Sequence, residues 1–356
     1  MYNAYKEKKL FGGLDGLRFF SISAVVWHHS VGALPFLPAS GYGFLGVDLF
    51  FVISGFLIVT LLLREKDKNG KISLKAFYLR RSLRIFPLYY GFIFALTVLY
   101  LFVNKGSDFG TQFIGEIPIY VFYLANFIPV SLGIMWSLAT EEQFYLLWPF
   151  LEKYFKKTIF AILAIFLIIN QFVNFNHKLI ADWLGIEDMH VFQSTFTPIL
   201  LGVCLAHLLH RKSTFSSIHR LISPAYTAPI LLLVLVAICS FLPGDISGLP
   251  RLLIQLTMVV FVGSVVINEK NMLMPILKFR PFARIGVISY GIYIFHIHGI
   301  TIAEKVLHKL NIDNIGLTFL LGYTATIIIA ELSFRLYEAP FLKLKAKFSS
   351  VHQAHT

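Results

Sequence analysis

The sequence predicts an all-α, polytopic membrane protein with ten transmembrane helices and both termini in the cytoplasm. Of its 356 residues, 57% are hydrophobic and only 14% are charged, whereas a soluble domain has about 25% charged residues. Apolar runs of about 17 to 25 residues, the length that a membrane-crossing helix needs, recur along the whole chain. Such runs are too long for the strands of a membrane β-barrel, so the pattern indicates helices.

Ten apolar runs account for the predicted spans. They cover residues 14–33, 43–63, 85–103, 137–152, 158–175, 194–209, 226–242, 250–267, 284–304 and 315–337. With the N-terminus in the cytoplasm, the cytoplasmic segments hold 26 of the 31 Lys and Arg residues, and the outer segments hold 5. This asymmetry follows the positive-inside rule, and an odd number of spans would destroy it. We therefore expect an even number of spans.

Residues 113–128 form an apolar segment that we do not count as a span. Pro118 interrupts it, Pro129 follows it, and counting it would invert every later loop. We expect an interfacial or re-entrant piece on the outer side, with its aromatic residues at the level of the lipid headgroups. The whole chain, 1–356, is then predicted to be one membrane domain with its core at 14–340. We expect no additional soluble domain, and a basic tail that contacts the inner leaflet.

The remaining composition excludes several classes of site. The net charge of +12 does not indicate nucleic acid binding, because the basic residues follow the membrane topology. Cys204 and Cys239 fall in apolar runs and are predicted to be core residues rather than a disulfide. No His/Cys cluster has zinc spacing, so we expect no metal. The sequence carries no information on oligomeric state.

The first apolar run contains four ionisable residues, which are Asp15, Arg18, His28 and His29. Arg18 and His29 are eleven residues apart. On a helix both therefore lie on one face, about 16 Å apart along the axis. Ionisable groups at membrane depth are costly and are functional candidates by default. We predict that this helix carries part of a functional site.

The densest basic segment lies between the second and third runs and ends with Arg80, Arg81 and Arg84. Arg80 and Arg84 are one helical turn apart on one face. Guanidinium groups bind phosphates through paired hydrogen bonds, so the cluster predicts a phosphate site. The spacing leaves two ligands equally open, a phosphate-bearing cytoplasmic cofactor and an anionic lipid headgroup.

Three of the carboxylates within the spans are further candidates for a site. Asp48 lies a short way in from the outer surface, and a buried carboxylate requires a partner or water. Glu141 and Glu142 lie about one turn below the outer surface in the fourth run. Adjacent residues point about 100° apart on a helix, so only one of these glutamates is expected to face a given cavity.

A polar stripe follows the ninth run, where Ser289, Tyr293 and His296 are spaced i, i+4 and i+7. His296 is predicted to lie at a membrane depth similar to that of His29. Hydrogen bonding between helices and a role in a site are both consistent with this stripe.

Two classes of function fit basic groups at the cytoplasmic end with histidines and acids deeper in the bundle. One is an enzyme that takes a phosphorylated donor from the cytoplasm and reacts it within the membrane. The other is a proton-coupled transporter or exporter of a small or sugar-like solute, with a His/Glu site. Internally repeated halves would favour the transporter, and the sequence shows no clear repeat.

Five ordered motifs resemble the acyltransferase-3 family of membrane O-acyltransferases. They are LDGLRFFSISAVVWHH, GVDLFFVISGFLI, RRSLRIFP, WSLATEEQFYLLWP and IGVISYGIYIFH, and the resemblance covers about Leu14 to Pro340. It implies an enzyme of the inner (plasma) membrane with a ten-span core. It also implies acetyl-CoA as the acyl donor and co-substrate, and a hydroxyl of a cell-surface glycan or related carbohydrate as the acceptor. Many relatives carry an extra span and a C-terminal hydrolase-like domain, and we expect neither here.

The resemblance also implies roles for individual residues. His29 falls on the family's catalytic histidine, with Arg18 as its motif partner. Asp48, Glu141 or Glu142 is expected to orient His29 or to bind the acceptor. The residues implied in donor binding are Arg80, Arg81, Arg84, Ser289 and Tyr293.

The resulting hypothesis is that acetyl-CoA docks from the cytoplasm, with its phosphates at the arginines and its thioester near His29. A neutral His29 would take the proton from the acceptor hydroxyl as it attacks the thioester. Alternatively, His29 would become acetylated itself. Both routes stay open, as does the choice between acetyl and a longer acyl group.

Overall fold

The computed structural model describes residues 1–8, 10–34, 36–185, 196–241, 247–346 and 348, and within these every long regular element is a helix. The α-helices, in chain order, are α1 (Tyr2–Glu7), α2 (Leu14–Ser30), α3 (Leu45–Asn69), α4 (Leu74–Val98), α5 (Asp108–Val121), α6 (Met135–Tyr154), α7 (Ile159–Phe175), α8 (His177–Leu184), α9 (Thr197–His210), α10 (Lys212–Ile222), α11 (Thr227–Phe241), α12 (Leu249–Ile267), α13 (Met274–Leu277), α14 (Arg280–Val287), α15 (Ser289–Lys309), α16 (Ile315–Ser333) and α17 (Ala339–Ala346). A 3₁₀ turn at Pro38–Tyr42 and π-helical turns at Leu99–Val103 and Phe334–Glu338 supplement them.

Among the described residues, four helical stretches are long and apolar enough to cross a membrane, and up to seven are if each of three sharply bent pairs counts as one span. The four are Leu45–Asn69, Leu74–Val103, Leu249–Ile267 and Ile315–Lys345. The predicted class, an all-helical membrane protein, is confirmed. The count of ten spans and the orientation of the termini stay predictions, because helices such as α2 and α9 have only 17 and 14 residues.

The predicted ninth span, 284–304, is wrong at its start. Its first residues belong to α14, which meets α15 at an angle of 81°. In this bent arrangement α14 packs directly against the beginning of α2. The absence of a side chain at Gly286 allows that close contact. A Cβ atom added at Gly286 would lie 1.8 Å from the carbonyl oxygen of Asp15. The long helix therefore begins only at Ser289.

The third predicted span, 85–103, is extended at its N-terminal side. Helix α4 begins at Leu74, because the Ser73 hydroxyl caps it by accepting a hydrogen bond from the Ala76 N–H. The arginine cluster consequently lies within a helix and has a fixed spacing. The side chains of Arg80, Arg81 and Arg84 therefore all project from α4.

The centre of the bundle is built on close contact between α3 and α9. A Cβ atom added at Gly55 would lie 2.0 Å from the Ile199 carbonyl oxygen, and one added at Gly202 would lie 2.3 Å from the Val52 carbonyl oxygen. The two backbones therefore touch, as small residues allow in membrane helix pairs. This contact holds α3, which carries several residues of the site, in a fixed position.

The segment 113–128 does not form a span in the described structure. Its first half completes α5, and a turn with Tyr123 at φ +53° follows. The Glu116 carboxylate organises this region by accepting hydrogen bonds from the Tyr120 hydroxyl at 2.6 Å and from the Ser131 N–H at 2.8 Å. Burial would raise the pKa of Glu116, but the hydrogen bonds from Ser131 and Tyr120 bring it below its ordinary value. An interfacial position for this segment stays a prediction.

Candidate active site

A cavity of about 310 Å³ lies between α2, α3, α4, α6 and α15, with α17 at its rim. Its basic lining residues are Arg18, Arg64, Arg80, Arg81, Arg84 and Lys345, and its acidic ones are Asp15, Glu65 and Glu141. Hydroxyl groups also line it, from Ser54, Ser137, Tyr145, Ser289, Tyr290 and Tyr293. The cavity thus brings together seven of the ten residues to which the resemblance and the hypothesis built on it assign a catalytic or donor-binding role.

The basic end of the cavity gathers residues that the sequence separates by more than 250 positions. Arg18 pairs with Asp15 on α2, and Arg80 pairs with Glu65 at 3.0 Å. The Arg81 guanidinium instead lies 4.3 Å from the centre of the Tyr145 ring. Paired and unpaired guanidiniums therefore share one surface, and a phosphate group can bind where the pairing is incomplete.

Arg84 has one satisfied and one unsatisfied guanidinium nitrogen. Its Nη2 donates to the Val287 carbonyl oxygen at 3.1 Å. Its Nη1 is buried and has no hydrogen-bond partner among the described residues. Buried donors are rarely left unpaired. The side chain is consequently suited to accept an anionic ligand in the cavity.

A chain of hydroxyl groups connects Glu141 to α3. The Tyr145 hydroxyl donates to the Glu141 carboxylate, one turn earlier on α6, and also contacts the Ser54 hydroxyl. Glu142 does not line the cavity and lies near Tyr89 and Tyr123. The structure therefore places Glu141, rather than Glu142, at the site. Tyr145 was not singled out in the sequence, although its i+4 spacing from Glu141 is the signal that would have found it.

Tyr293 and Ser137 close the end of the cavity that is remote from the arginines. Their hydroxyl groups are 2.6 Å apart, and the Tyr293 hydroxyl also donates to the Ile134 carbonyl oxygen at 2.9 Å. Both residues are buried. This contact connects α6 to α15 and separates the cavity from the region beyond it.

His29 does not line the cavity but lies beyond this contact, near the C-terminal end of α2. The centre of its ring is 5.0 Å from that of His296, and the His296 ring is 5.5 Å from the Tyr293 ring. His29 is exposed, whereas His296 is fully buried. Arg18 and His29 thus lie at opposite ends of α2, one in the cavity and the other past Tyr293.

His296 has a defined tautomer and an unused nitrogen. Its Nδ1 lies 2.6 Å from the Tyr293 carbonyl oxygen, so Nδ1 carries the proton and donates it. Its Nε2 is then an acceptor, and it has no partner among the described residues. A buried acceptor therefore lies beside His29.

Asp48 is not available to orient His29, and that expectation needs correction. The two carboxylate oxygens of Asp48 accept hydrogen bonds from Arg251 Nε and Nη2, each at 2.8 Å, and from Gln255 Nε2 at 2.9 Å. All three residues are buried, so the pair connects α3 to α12. Arg251 was not singled out in the sequence, and only the need of a buried carboxylate for a partner could have pointed to it.

The fold and the cavity define a helical membrane protein with a site that combines an arginine cluster, a carboxylate and a nearby pair of imidazoles. The family model described as an acyltransferase domain matches residues 11–334, and the chain belongs to this acyltransferase-3 family. The resemblance predicted from the motifs is therefore confirmed.

The curated relatives of the chain are named as O-acetyltransferases. The peptidoglycan O-acetyltransferase OatA of Listeria monocytogenes is 31% identical over 95% of this chain and 56% of its own length. The putative peptidoglycan O-acetyltransferase YrhL of Bacillus subtilis is 27% identical over 96% and 56%, respectively. A putative O-acetyltransferase of Staphylococcus aureus is 29% identical over 96% and 59%. The chain thus spans little more than half the length of these relatives. No solved structure matches it significantly.

Proposed function

We propose that this chain is a membrane O-acetyltransferase domain that moves an acetyl group from acetyl-CoA to a hydroxyl of the cell-wall glycan. The observation that carries the proposal is the cavity, which has arginines at one end and ends beside the His29–His296 pair at the other. The names of the peptidoglycan-acetylating relatives support the choice of acceptor. An elongated donor with phosphates at one end and a thioester at the other fits such a cavity.

The proposal includes ten spans in the plasma membrane, with both termini and the arginine end of the cavity in the cytoplasm. The distribution of Lys and Arg supports this orientation. The lining of the cavity supports this orientation as well, because Leu10, Arg64 and Lys345 all line the cavity. These residues come from three segments that the positive-inside rule assigns to one side. We call the basic end of the cavity the mouth. Cytoplasmic acetyl-CoA would then reach the mouth directly.

In the proposed complex, Arg80, Arg81 and Arg84 bind the phosphates of acetyl-CoA through charge-assisted hydrogen bonds. The narrow pantetheine arm extends along the cavity toward Ser289 and Tyr293. The thioester then lies at the contact between Tyr293 and Ser137, which must separate for the acetyl group to meet His29. Helix α2 carries both Arg18, which lines the cavity, and His29, where the transfer takes place.

The transfer step follows general-base catalysis. A nitrogen of His29 takes the proton of the acceptor hydroxyl, and the hydroxyl oxygen forms a bond to the thioester carbonyl carbon. The carbon–sulfur bond breaks, and the CoA thiolate receives the proton as it leaves. In the covalent alternative, a nitrogen of His29 attacks the thioester carbonyl carbon, and the carbon–sulfur bond breaks to release the CoA thiolate. The acceptor hydroxyl then attacks the acetyl carbon, the bond from that carbon to the His29 nitrogen breaks, and the hydroxyl proton passes to the thiolate. Glu141 faces the donor cavity, where it orients Tyr145 and the donor arm rather than His29.

The proposal is tested with purified protein, acetyl-CoA labelled in the acetyl group, and peptidoglycan fragments. We expect ester-linked label on the glycan with the wild-type protein and none with His29→Ala, while acetyl-CoA binding changes by less than about twofold in that variant. His28→Ala is the matched control and is expected to retain transfer. Full transfer by His29→Ala would exclude the catalytic assignment.

The same experiment separates the enzyme from the transporter. Binding of acetyl-CoA without labelled glycan would move the acceptor to another hydroxyl compound. A folded protein that does not bind acetyl-CoA would contradict the enzyme and favour a transporter with a site at His29.

A further inference from the structure

We infer that Lys345, on the C-terminal helix α17, is an additional ligand for the phosphate groups of the donor, and that α17 is therefore a wall of the donor site. The inference rests on the proposed function. It adds a residue outside the arginine cluster and outside the matched family region, which ends at residue 334. The group that Lys345 would bind is a phosphate, and we assign this phosphate to CoA.

The placement of α17 is the first observation. The helix follows the π-helical turn at Phe334–Glu338 and packs back against α4, the helix that carries the three arginines. A hydrogen bond of 2.9 Å from Arg80 Nη1 to the Phe348 carbonyl oxygen connects α4 to the chain just after α17. Helix α17 and Phe348 are thus held against the cavity.

The orientation of Lys345 is the second observation. Lys345 is half-buried and lines the cavity together with Arg80, Arg81 and Arg84. Lys343, two residues earlier on the same helix, is exposed and does not line it. Positions two apart on a helix point in different directions, so Lys343 and Lys345 lie on different faces of α17.

The charge balance of the mouth is the third observation. Arg18 and Arg80 are neutralised by Asp15 and Glu65, respectively. Neither Arg81 nor Lys345 forms an ion pair with a carboxylate of the described residues. Arg84 has Glu338 in its surroundings, but no hydrogen bond joins them and its Nη1 has no partner.

A partly buried group of like charges is unfavourable until an anion joins it. The mouth therefore holds surplus positive charge that a phosphate group compensates. Lysine acts in such a site as a compact point charge beside the planar guanidiniums, and the two residue types are not interchangeable in geometry. We propose that Lys345 contributes positive charge near the phosphates, whereas the arginines form the bidentate hydrogen bonds to them.

The test is the affinity of CoA for the purified full chain, measured by calorimetry. We expect Lys345→Ala to weaken CoA binding about tenfold, which corresponds to the loss of one charge-assisted contact. Lys345→Arg keeps the charge and is expected to retain most of the affinity. Lys343→Ala is the matched control on the same helix and should change the affinity by less than about twofold. Thermal unfolding of each variant reports whether it is folded.

Binding of dephospho-CoA and of vesicles that contain anionic lipid shows which phosphate Lys345 contacts. If Lys345 binds the 3′-phosphate, dephospho-CoA binds the wild-type and Lys345→Ala proteins equally; if it binds the diphosphate, the variant loses affinity for both ligands. Either pattern supports the inference. Wild-type affinity for CoA in folded Lys345→Ala overturns it, and a simultaneous loss of binding to vesicles that contain anionic lipid would reassign Lys345 to a headgroup. If the wild-type protein binds no CoA at all, the proposed function fails as well, so the two failures are distinguishable.

Discussion

At the scale of single residues, the partners of buried polar groups separate structural roles from functional ones. Asp48 has both carboxylate oxygens occupied by Arg251 and Gln255. His296 has one nitrogen occupied by a carbonyl oxygen and the other unpaired beside His29. A satisfied group stabilises the fold, whereas an unsatisfied one is available to a substrate or to a neighbouring side chain.

The first prediction concerns Asp48. Asp48→Asn removes the negative charge and leaves the Arg251 guanidinium buried without a counterion, which costs about 3–5 kcal/mol. We expect a lower thermal unfolding midpoint in detergent and a partial recovery in the double variant with Arg251→Gln. Unchanged stability combined with loss of acetyl transfer would instead place Asp48 in the chemistry.

The second prediction concerns His296. The centres of the His29 and His296 rings are 5.0 Å apart, so we expect His296 Nε2 to accept the N–H of His29, which would leave the other His29 nitrogen as the base. His296→Ala is expected to slow transfer about tenfold or more, a part of the roughly 10²–10⁴-fold contribution of general-base catalysis. It is also expected to shift the pH profile of the rate.

The matched control for His296 is His298→Ala. The centre of the His298 ring lies 5.3 Å from that of Phe92, on the same helix as His296. We expect little change in the rate and an unchanged pH profile. Equal effects of the two variants would mean that His296 acts only through the packing of α15.

At the scale of elements, glycines allow helices to approach closely and thereby position the site. Gly286 allows α14 to contact the first turn of α2, which presents Asp15 and Arg18 to the cavity. Gly55 and Gly202 play the same part between α3 and α9. Substitutions at these positions act on the site through the backbone of a neighbouring helix.

The third prediction follows from the contact at Gly286. Gly286→Ala must displace α14 from α2, because the added Cβ would lie 1.8 Å from the Asp15 carbonyl oxygen. We expect a lower unfolding midpoint together with weaker CoA binding. Gly115→Ala in α5 is the control, because no atom lies within 4 Å of its added Cβ. It should leave both quantities unchanged or slightly raise the stability.

The fourth prediction concerns the turn after α5 and its dependence on pH. The pKa of Glu116 is lower in the folded protein than its ordinary value of about 4.3. The carboxylate therefore stabilises the fold above that ordinary value, and this stabilisation is lost as the pH falls through the lower folded pKa. We expect the unfolding midpoint of the wild-type protein to fall as the pH drops below the ordinary glutamate pKa, and less so in Glu116→Gln. Identical pH curves for both proteins would exclude this role.

The elements were predictable from the sequence where the information is local. Apolar runs predicted the positions of the long helices, because a span needs an uninterrupted apolar length. The break between α14 and α15 was not predictable, because Ile288 continues the apolar pattern and the cause, the contact of Gly286 with α2, is distant in sequence. The same holds for the site. The spacing of Arg80 and Arg84 indicated a cluster, whereas the pairing of Asp48 with Arg251 joins residues 203 positions apart.

At the scale of the whole molecule, both ends of the chain contribute to one cavity mouth. Leu10, Phe11 and Gly12 line it from the N-terminal side, and Lys345 lines it from the C-terminal side. The sequence predicted only a basic tail at the inner leaflet for the C-terminal segment, because such tails ordinarily contact lipid. In the structure Lys345 lines the cavity together with the arginines, so segments far apart in the sequence form the mouth. Contact of the tail with the inner leaflet stays a prediction.

The central claim, that this cavity is a donor site for acetyl-CoA, is tested most directly by calorimetric binding of acetyl-CoA to the wild-type protein, Arg81→Ala and Arg280→Ala. Arg81 lines the cavity without a carboxylate partner in the described structure, whereas Arg280 is exposed and does not line it. We expect saturable binding by the wild-type protein and Arg280→Ala, and an affinity about 10- to 100-fold lower in Arg81→Ala. Equal affinities for all three folded proteins, or no binding by any of them, would contradict the account.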